Sequence, residues 1–345
     1  MTPDAITMPL PPVERVRPGL WSVPVPLPNN SLRYVLVYVF ETDAGVYLVD
    51  AGWNTEDAFA ALEAGLDVVG ATIADVRGVL VTHIHPDHYG LAGRIRNESG
   101  AWVALHPADA HLLHERYEEP EHLLDRVGTM LRRMGAPPDE LESLQRAAMP
   151  VRSLVDAAKP DVELEDGARP ELRGWDVTAI WTPGHSPGHL CFWEAGNRLM
   201  LSGDHVLPRI TPNIPFHPQA GANPLGDYLA SLDKLEPYDA AEVLPAHEHR
   251  FVGLQARLEQ LRRHHAARFG EVIASIEAGV TTAWGIAARM HWSRSWDQIE
   301  GFMRRAAVSE ALAHLRALEA RGVVRELVGE PSHWELLDLP ARAAS

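Results

Sequence analysis

Cysteine is nearly missing from this 345-residue chain: Cys191 is the only one. A lone cysteine excludes an intramolecular disulfide framework and any cysteine-rich zinc site, and it fits a reducing, cytoplasmic setting. No apolar run approaches the roughly 18–20 residues that span a bilayer, which argues against an integral membrane protein and against a membrane partner. The stretch Met1 to Pro12 has neither a basic flank nor an apolar core, so it does not read as a secretory signal. Internal repeats and low-complexity tracts are absent. Lysine is scarce, with two residues among 31 Lys+Arg, an arginine bias that reads as genome composition. What is present is ordinary for a folded chain: 46% hydrophobic and 23% charged, which excludes wholesale disorder. The length suits one large domain with an appendage, or two domains.

The formal charge is −16, unevenly spread. Residues 255–345 carry 12 Arg against 11 Asp+Glu, which leaves −17 for residues 1–254. An acidic main body argues against broad attraction to nucleic acid or to anionic membrane. The 18 histidines are more telling, because histidine is both the commonest metal ligand and a general acid–base group.

Short β-branched and aromatic runs at Leu20–Val25, Tyr34–Phe40 and Val46–Asp50 predict strands, parted by Pro/Asn-rich and Asp43-Ala-Gly45 turn signals. From Thr55 to Leu66 the apolar spacing becomes helical, with Phe59, Leu62 and Leu66 on one face. A buried strand, Gly78–Thr82, runs into a histidine cluster. A helix opening near Leu91 and a strand at Ala101–Leu105 follow. Between about 107 and 160, leucines such as Leu112, Leu123, Leu131 and Leu144 recur at helical spacing without a strand between them, which predicts a helical insertion. Strands resume at Val177–Trp181, Leu190–Trp193 and Arg198–Ser202. A helix over about 224–235 and the short strand Glu242–Pro245 come next. The fold class is therefore mixed α/β, two β-rich halves flanked by helices. In the last ninety residues, helical periodicity at about 250–278, 281–290 and 307–321 precedes a hairpin pattern from Gly322 to Leu337, which is the layout of a winged helix.

Thr82-His83-Ile84-His85-Pro86-Asp87-His88 is the strongest signal in the chain. It sits at the C-terminal end of a buried strand, where α/β sheets present ligands. Three imidazoles and a carboxylate within six residues suit a borderline metal such as zinc. Three more strand ends lead through tight turns to ligand-capable residues: Thr182-Pro-Gly-His185-Ser-Pro-Gly-His189, Leu201-Ser-Gly-Asp204-His205 and Leu244-Pro-Ala-His247-Glu-His249.

In that order, these motifs make residues from about 20 to 250 resemble a metallo-β-lactamase-fold hydrolase of the dinuclear branch to which glyoxalase II belongs. The resemblance implies an αβ/βα sandwich holding two divalent metal ions, zinc first, with iron or manganese as alternatives according to supply. By position it puts one ion on His83, His85 and His185 and the other on Asp87, His88 and His247, with Asp204 bridging both. True β-lactamases of this fold carry a cysteine or another non-bridging residue where Asp204 stands, so an antibiotic hydrolase is not expected. The tail, through its element order and the run Val308-Ser-Glu-Ala-Leu-Ala-His-Leu-Arg-Ala-Leu-Glu-Ala-Arg-Gly322, resembles the winged-helix appendage of the LACTB-like subgroup. That divides the chain into a catalytic domain over 1–254 and a winged-helix-like domain over 255–345.

The chemistry implied is hydrolysis of a small acyl substrate. Paired cations lower the pKa of a bridging water, and the resulting hydroxide attacks a carbonyl whose oxygen one metal polarises. A thioester is the first expectation, with an ester or lactone next. Asp204 would bridge and orient, and Asp87 could accept the nucleophile's proton. Four neighbours keep two readings each. His189 and His205 are either donors behind the ligands or turn residues. His249 faces either the pocket or solvent, and Tyr89 either reaches a substrate carbonyl or packs. The loop Pro26–Tyr34 is placed over the metals by analogy of position, and Cys191 reads as core. The alternative activity is a metal-dependent endoribonuclease or phosphodiesterase. It needs a basic cleft, which could be assembled from Arg209, Arg250 and arginines of the tail. A DNA-binding regulator fits worse, since every ligand position is filled and the tail is nearly neutral. Size and the insertion also fit a homodimer.

Overall fold

The computed structural model describes residues 9–337. The first eight residues of the N-terminal stretch, read above as lacking a signal, and the last eight of the tail lie outside the described residues. Two sheets lie face to face. The first runs in the order β1 (Glu14–Arg17), β2 (Leu20–Pro26), β3 (Tyr34–Thr42), β4 (Gly45–Val49), β5 (Val76–Leu80), β6 (Trp102–Leu105) and β7 (Val162–Glu163). It is antiparallel from β1 to β4 and parallel from β4 to β7. The second consists of β8 (Val177–Trp181), β9 (Leu190–Glu194), β10 (Leu199–Gly203) and β11 (Glu242–Pro245), ordered β11-β10-β9-β8. A separate hairpin, β12 (Val324–Leu327) with β13 (His333–Leu336), closes the described chain.

Strand alternation explains the layering. In β3, Val35, Val37 and Val39 pack outward against helices, while Leu36, Tyr38 and Phe40 face the other sheet. On the opposite sheet Ala179, Phe192 and Leu201 meet them, and Ile180, Cys191 and Met200 turn to the far side. Both faces of both sheets are therefore buried, giving the expected αβ/βα sandwich with period-2 side chains feeding two layers at once. The helix Glu56–Val69 covers the first sheet with Phe59, Leu62 and Leu66, capped by Thr55 at its start and by left-handed Gly70 at its end.

The stretch after β6 is helical, as predicted, with its longest piece at Glu121–Met134. Val127, Leu131 and Met134 on one face of that helix join the core behind the second sheet. The same core takes in Leu258 and Leu261 of the helix Leu254–Glu277, Val308 and Leu315 of the helix Gly301–Ala320, and Trp334 of the hairpin. Insertion and tail thus share one apolar interior with the second sheet. Sequence reasoning missed two strands, β1 and β7. Both are short and polar (Glu-Arg-Val-Arg and Val-Glu), and each exists only as an edge pairing with a stronger neighbour.

Candidate metal centre

The C-terminal ends of β4, β5, β8, β10 and β11 all open onto one rim. The amide of Leu190 donates to the carbonyl of Thr82 (2.8 Å), and that of Leu36 to Ala246 (2.7 Å), so the two sheets are joined where the loops begin. After β5 the chain bends through Thr82 and Ile84 to His85, whose own backbone is extended, as the residue before a proline prefers, and Pro86 then opens a single helical turn, Pro86–Tyr89. His83 and His85 project from the loop, and Asp87 and His88 from the turn.

The seven residues expected to hold metal come together. Ring nitrogens of His83 and His85 lie 2.8 Å apart, and Nε2 of His185 lies 3.2 Å from Nε2 of His83. On the other side Nε2 of His247 lies 3.3 Å from Oδ2 of Asp87, and Nε2 of His88 lies 3.7 Å from it. Asp204 stands between the groups. Its Oδ2 faces His185 at 3.4 Å, and its Oδ1 faces His247 at 3.3 Å and His88 at 3.6 Å. Gly203 gives the chain this turn with φ of +51°, at a place where a Cβ would sit 2.7 Å from the His189 ring.

The arrangement fits a cation. Nε2 of His88, Nε2 of His247 and Oδ1 of Asp204 are buried and face one another without a hydrogen-bond partner among the described residues. Leaving such a group unpaired costs about 1–3 kcal/mol. A divalent cation among them removes that cost, and a set of imidazoles with carboxylates is what a borderline metal takes. Burial lowers His83, His85 and His185, keeping them as neutral imidazoles, the form that can ligate a metal. Burial also works against the charge on His88 and His247, but carboxylates outweigh it: Asp50, Asp204 and Asp87 raise His88, and Asp204 and Asp87 raise His247. Asp204 is held well below the ordinary carboxylate range, its burial overcome by His247, His88 and His185.

Each ring is steered from behind. His185 Nδ1 meets the Asn213 carbonyl at 2.8 Å, and His247 Nδ1 meets that of Tyr34 at 2.9 Å. His88 Nδ1 lies 2.8 Å from Oδ2 of Asp50, whose other oxygen accepts from the amide and hydroxyl of Thr82. Sequence reasoning missed Asp50 as a member of the site, treating it only as the last residue of the strand run Val46–Asp50. Its place at the end of β4 is the same signal that marked the others. Asp109 was missed too. Fully buried, it accepts from the Ile84 amide (2.9 Å), the Ser186 hydroxyl (2.7 Å) and the Gly188 amide (2.7 Å), so one carboxylate ties the His83–His85 loop to the His185 loop.

The four neighbours separate. His189 sits behind Asp204: its Nε2 accepts the Asp204 amide (3.2 Å), and its Nδ1 lies 2.8 Å from the Thr182 hydroxyl. His205 is buried against Tyr228, pushed down to about 3 by burial, and neither ring nitrogen has a partner among the described residues. Tyr89 does not reach substrate, because it is fully buried and its hydroxyl donates to the Ala158 carbonyl. His249 does not face the cluster. It is exposed, beyond Glu248, whose positive φ of 67° turns the chain outward. Cys191 is core, its thiol pushed up to about 12 by burial.

Known proteins repeat this plan. The family model of the metallo-beta-lactamase superfamily matches residues 31–247. The probable metallo-hydrolase YqjP of Bacillus subtilis (strain 168) is 29% identical over 328 residues, covering 91% of this chain and 94% of its own. A metallo-beta-lactamase family protein from Thermus thermophilus superposes with a TM-score of 0.80 at 31% identity, over 94% of this chain and 100% of that one. A beta-lactamase domain protein from Burkholderia ambifaria gives 0.80 at 28% identity, over 97% of each chain. With the strand-end histidines and aspartates set on this sandwich, the chain belongs to the metallo-beta-lactamase superfamily.

Proposed function

We propose that the protein is a dinuclear metallohydrolase of small acyl substrates, thioesters first, with esters and lactones next. The observation that carries this reading is the division of Asp204, one oxygen toward His185 and the other toward His88 and His247. Two divalent cations, zinc or else iron or manganese, would supply Lewis acidity that activates water at neutral pH and polarises the acyl carbonyl. The chain's own residues do the rest. His83, His85 and His185 form one ligand set, Asp87, His88 and His247 the other, and Asp204 joins them. Asp50 takes the Nδ1 side of His88, so that Nε2 is left for the centre. Asp87, lowered despite its burial by His88 and His247, is an ionised base that can take a proton at Oδ2. The buried Cys191 thiol takes no part.

The phosphodiesterase reading loses the two arginines of the main body named for it. Arg209 is paired with Glu248 (2.9 Å), and Arg250 with Glu242 (2.5 Å) and Glu14 (2.9 Å). We read residues 255–345, three helices and then β12–β13, as a winged-helix-like appendage to the catalytic residues 1–254. Its role is to wall the cleft, since it shares the core behind β8–β11. Among the described residues, no helix is long and apolar enough to cross a membrane. A small molecule in a reducing cytoplasm is the substrate setting that fits.

Thiol release from acyl-glutathione and acyl-CoA thioesters tests the reading. Turnover should vanish on chelation, and His85→Ala should lower it by more than the roughly 10–100-fold that loss of an outer partner costs. Silence across the panel from a metal-loaded protein would sink the thioester assignment.

A further inference from the structure

Three elements roof the metal histidines, each held in place by a hydrogen bond. The segment His114–Glu118 is fixed by Tyr117, whose hydroxyl donates to the Ile84 carbonyl (2.6 Å) between His83 and His85. The loop 213–219 is fixed by the Asn213 carbonyl against His185 (2.8 Å). The helix Gly301–Ala320 is tied to that loop by the Phe216 amide donating to the Ser309 carbonyl (3.0 Å). From these elements come Arg116, His217 and Arg305.

Neither Arg116 nor Arg305 has an ion-pair partner among the described residues. Arg116 contacts the side-chain oxygen of Gln219 (3.5 Å) and the Tyr117 hydroxyl, and Arg305 reaches the main-chain carbonyls of Leu144 and Gln145 (3.4 and 3.3 Å) and lies over the Phe302 ring (5.5 Å). Arginines beside them are neutralised: Arg126 by Glu115 (2.6 Å), Arg304 by Glu140 (2.9 Å) and Arg316 by Glu326 (2.8 Å). Asp109 lies within the field of Arg116, but its oxygens are occupied by Ile84, Ser186 and Gly188. Arg305 is pushed down to about 10 by burial and then by Arg116, so its guanidinium stays charged at neutral pH. Burial, then Arg116 and Arg305, push His217 down to about 3, and Arg116 also acts on His85. Half-buried like charges without a counter-ion are costly to keep in a chain of net charge −16 that has carboxylates to spare. Beyond His217, a cavity of about 220 Å³ is lined by His185, His217, Ser186, Trp181 and Asp227; neither arginine lines it, and His217 alone belongs both to the cavity and to the arginines' surroundings.

We propose that Arg116 and Arg305 form a subsite for an oxyanion carried by the substrate, a carboxylate or a phosphate, beside the metal centre. The substrate identity rests on the hydrolase reading, whereas the site itself is defined by charges of the chain. An arginine fork matches both oxyanions in shape and charge. It also reconciles an acidic body with an anionic small molecule, because the positive field is confined to the cleft roof.

The test uses the metal-loaded full chain and one acyl group on three thiols: glutathione for carboxylates, coenzyme A for phosphates, and N-acetylcysteamine as the neutral case. Arg116→Gln and Arg305→Gln should each raise KM for a charged thioester about tenfold or more, the worth of a charged hydrogen bond. The KM for the neutral thioester and kcat should stay within about twofold, and Arg305→Lys should recover part of the loss. The thiol whose KM moves identifies the oxyanion. Equal effects on the neutral thioester, or none on the charged ones, overturn the proposal. Should no thioester turn over, calorimetric titration of the same proteins with succinate and with inorganic phosphate decides separately. An about tenfold weaker binding in both variants keeps the subsite while the thioesterase reading falls, and unchanged binding removes the subsite. If Arg305→Gln does not fold, Arg116→Gln, in a segment outside the main core, carries the decision alone.

Discussion

Two groups of buried histidines in this molecule meet different ends. In the C-terminal helices His265 and His314 face each other across 3.2 Å, and His314 Nδ1 lies 2.8 Å from the Glu310 carbonyl. Burial pushes them down to about 2 and about 4. At the strand ends burial acts on His83, His85 and His185 in the same direction, yet His88 and His247 are raised, because the carboxylates of Asp50, Asp87 and Asp204 point at them. Glu310, whose main-chain carbonyl meets His314, has its own carboxyl pushed up to about 7 by burial. Burial alone therefore makes neutral packing imidazoles. Burial together with inward carboxylates makes a place for cations.

The largest expected effect breaks the second group at its joint. Asp204→Ala should lower hydrolysis by about 10³-fold or more, the several kcal/mol of charge stabilisation that metals contribute. It should also lower bound metal per chain, and full occupancy with full activity would refute the bridging role. Next comes Asp50→Ala, which frees His88 to rotate. Metal affinity, measured by competition with a chromophoric chelator, should fall about 10–100-fold, and an unchanged affinity would reduce Asp50 to a packing residue.

Acid should act on the histidines that burial lowers. His106, His205, His217, His265 and His314 have folded values between about 2 and about 4, against about 6.5 when unfolded. As pH falls from about 6.5 to about 4, the unfolded chain gains protons that the folded chain refuses, so stability is lost. Glu310 works the other way: raised to about 7, it gives stability at low pH that is lost as pH rises from about 4.5 to about 7. One group against five leaves the melting temperature rising from about pH 4.5 to about 6.5, and a flat profile would contradict it. The smallest effect sharpens the contrast. His265→Leu with His314→Leu removes both partners of a buried pair and should change stability by less than about 1.5 kcal/mol. Metal content should not change, and lost metal would mean that the two groups are coupled.

Much of the fold and of the candidate site is legible in the sequence because the signals are local. Each proposed ligand sits a few steps beyond a β-branched run, so reading the strand ends reads the rim. What is not legible depends on neighbours far along the chain. Asp109 matters only because Ile84, Ser186 and Gly188 fold onto it, and nothing in His106-Pro-Ala-Asp109 announces those partners. Arg116 and Arg305 look like any other arginines until the tail is laid against the insertion. Tyr89 and His249 show the opposite error: adjacency to a ligand in sequence says little when one helical step or one left-handed residue turns the next side chain away.

The hydrogen bond from Leu190 to Thr82 joins the two sheets at the rim, and it has a consequence for the order of events during synthesis. The His83–His88 loop leaves the ribosome long before His185, Asp204 and His247. It can offer a passing ion only a partial, open set of donors. Both proposed ligand sets close only after β11 has been made and the second sheet has docked on the first. On that proposal, choice of metal would belong to the finished protein, whose geometry can reject an ill-fitting ion, and not to the nascent chain, which would take whichever cation binds imidazole most tightly.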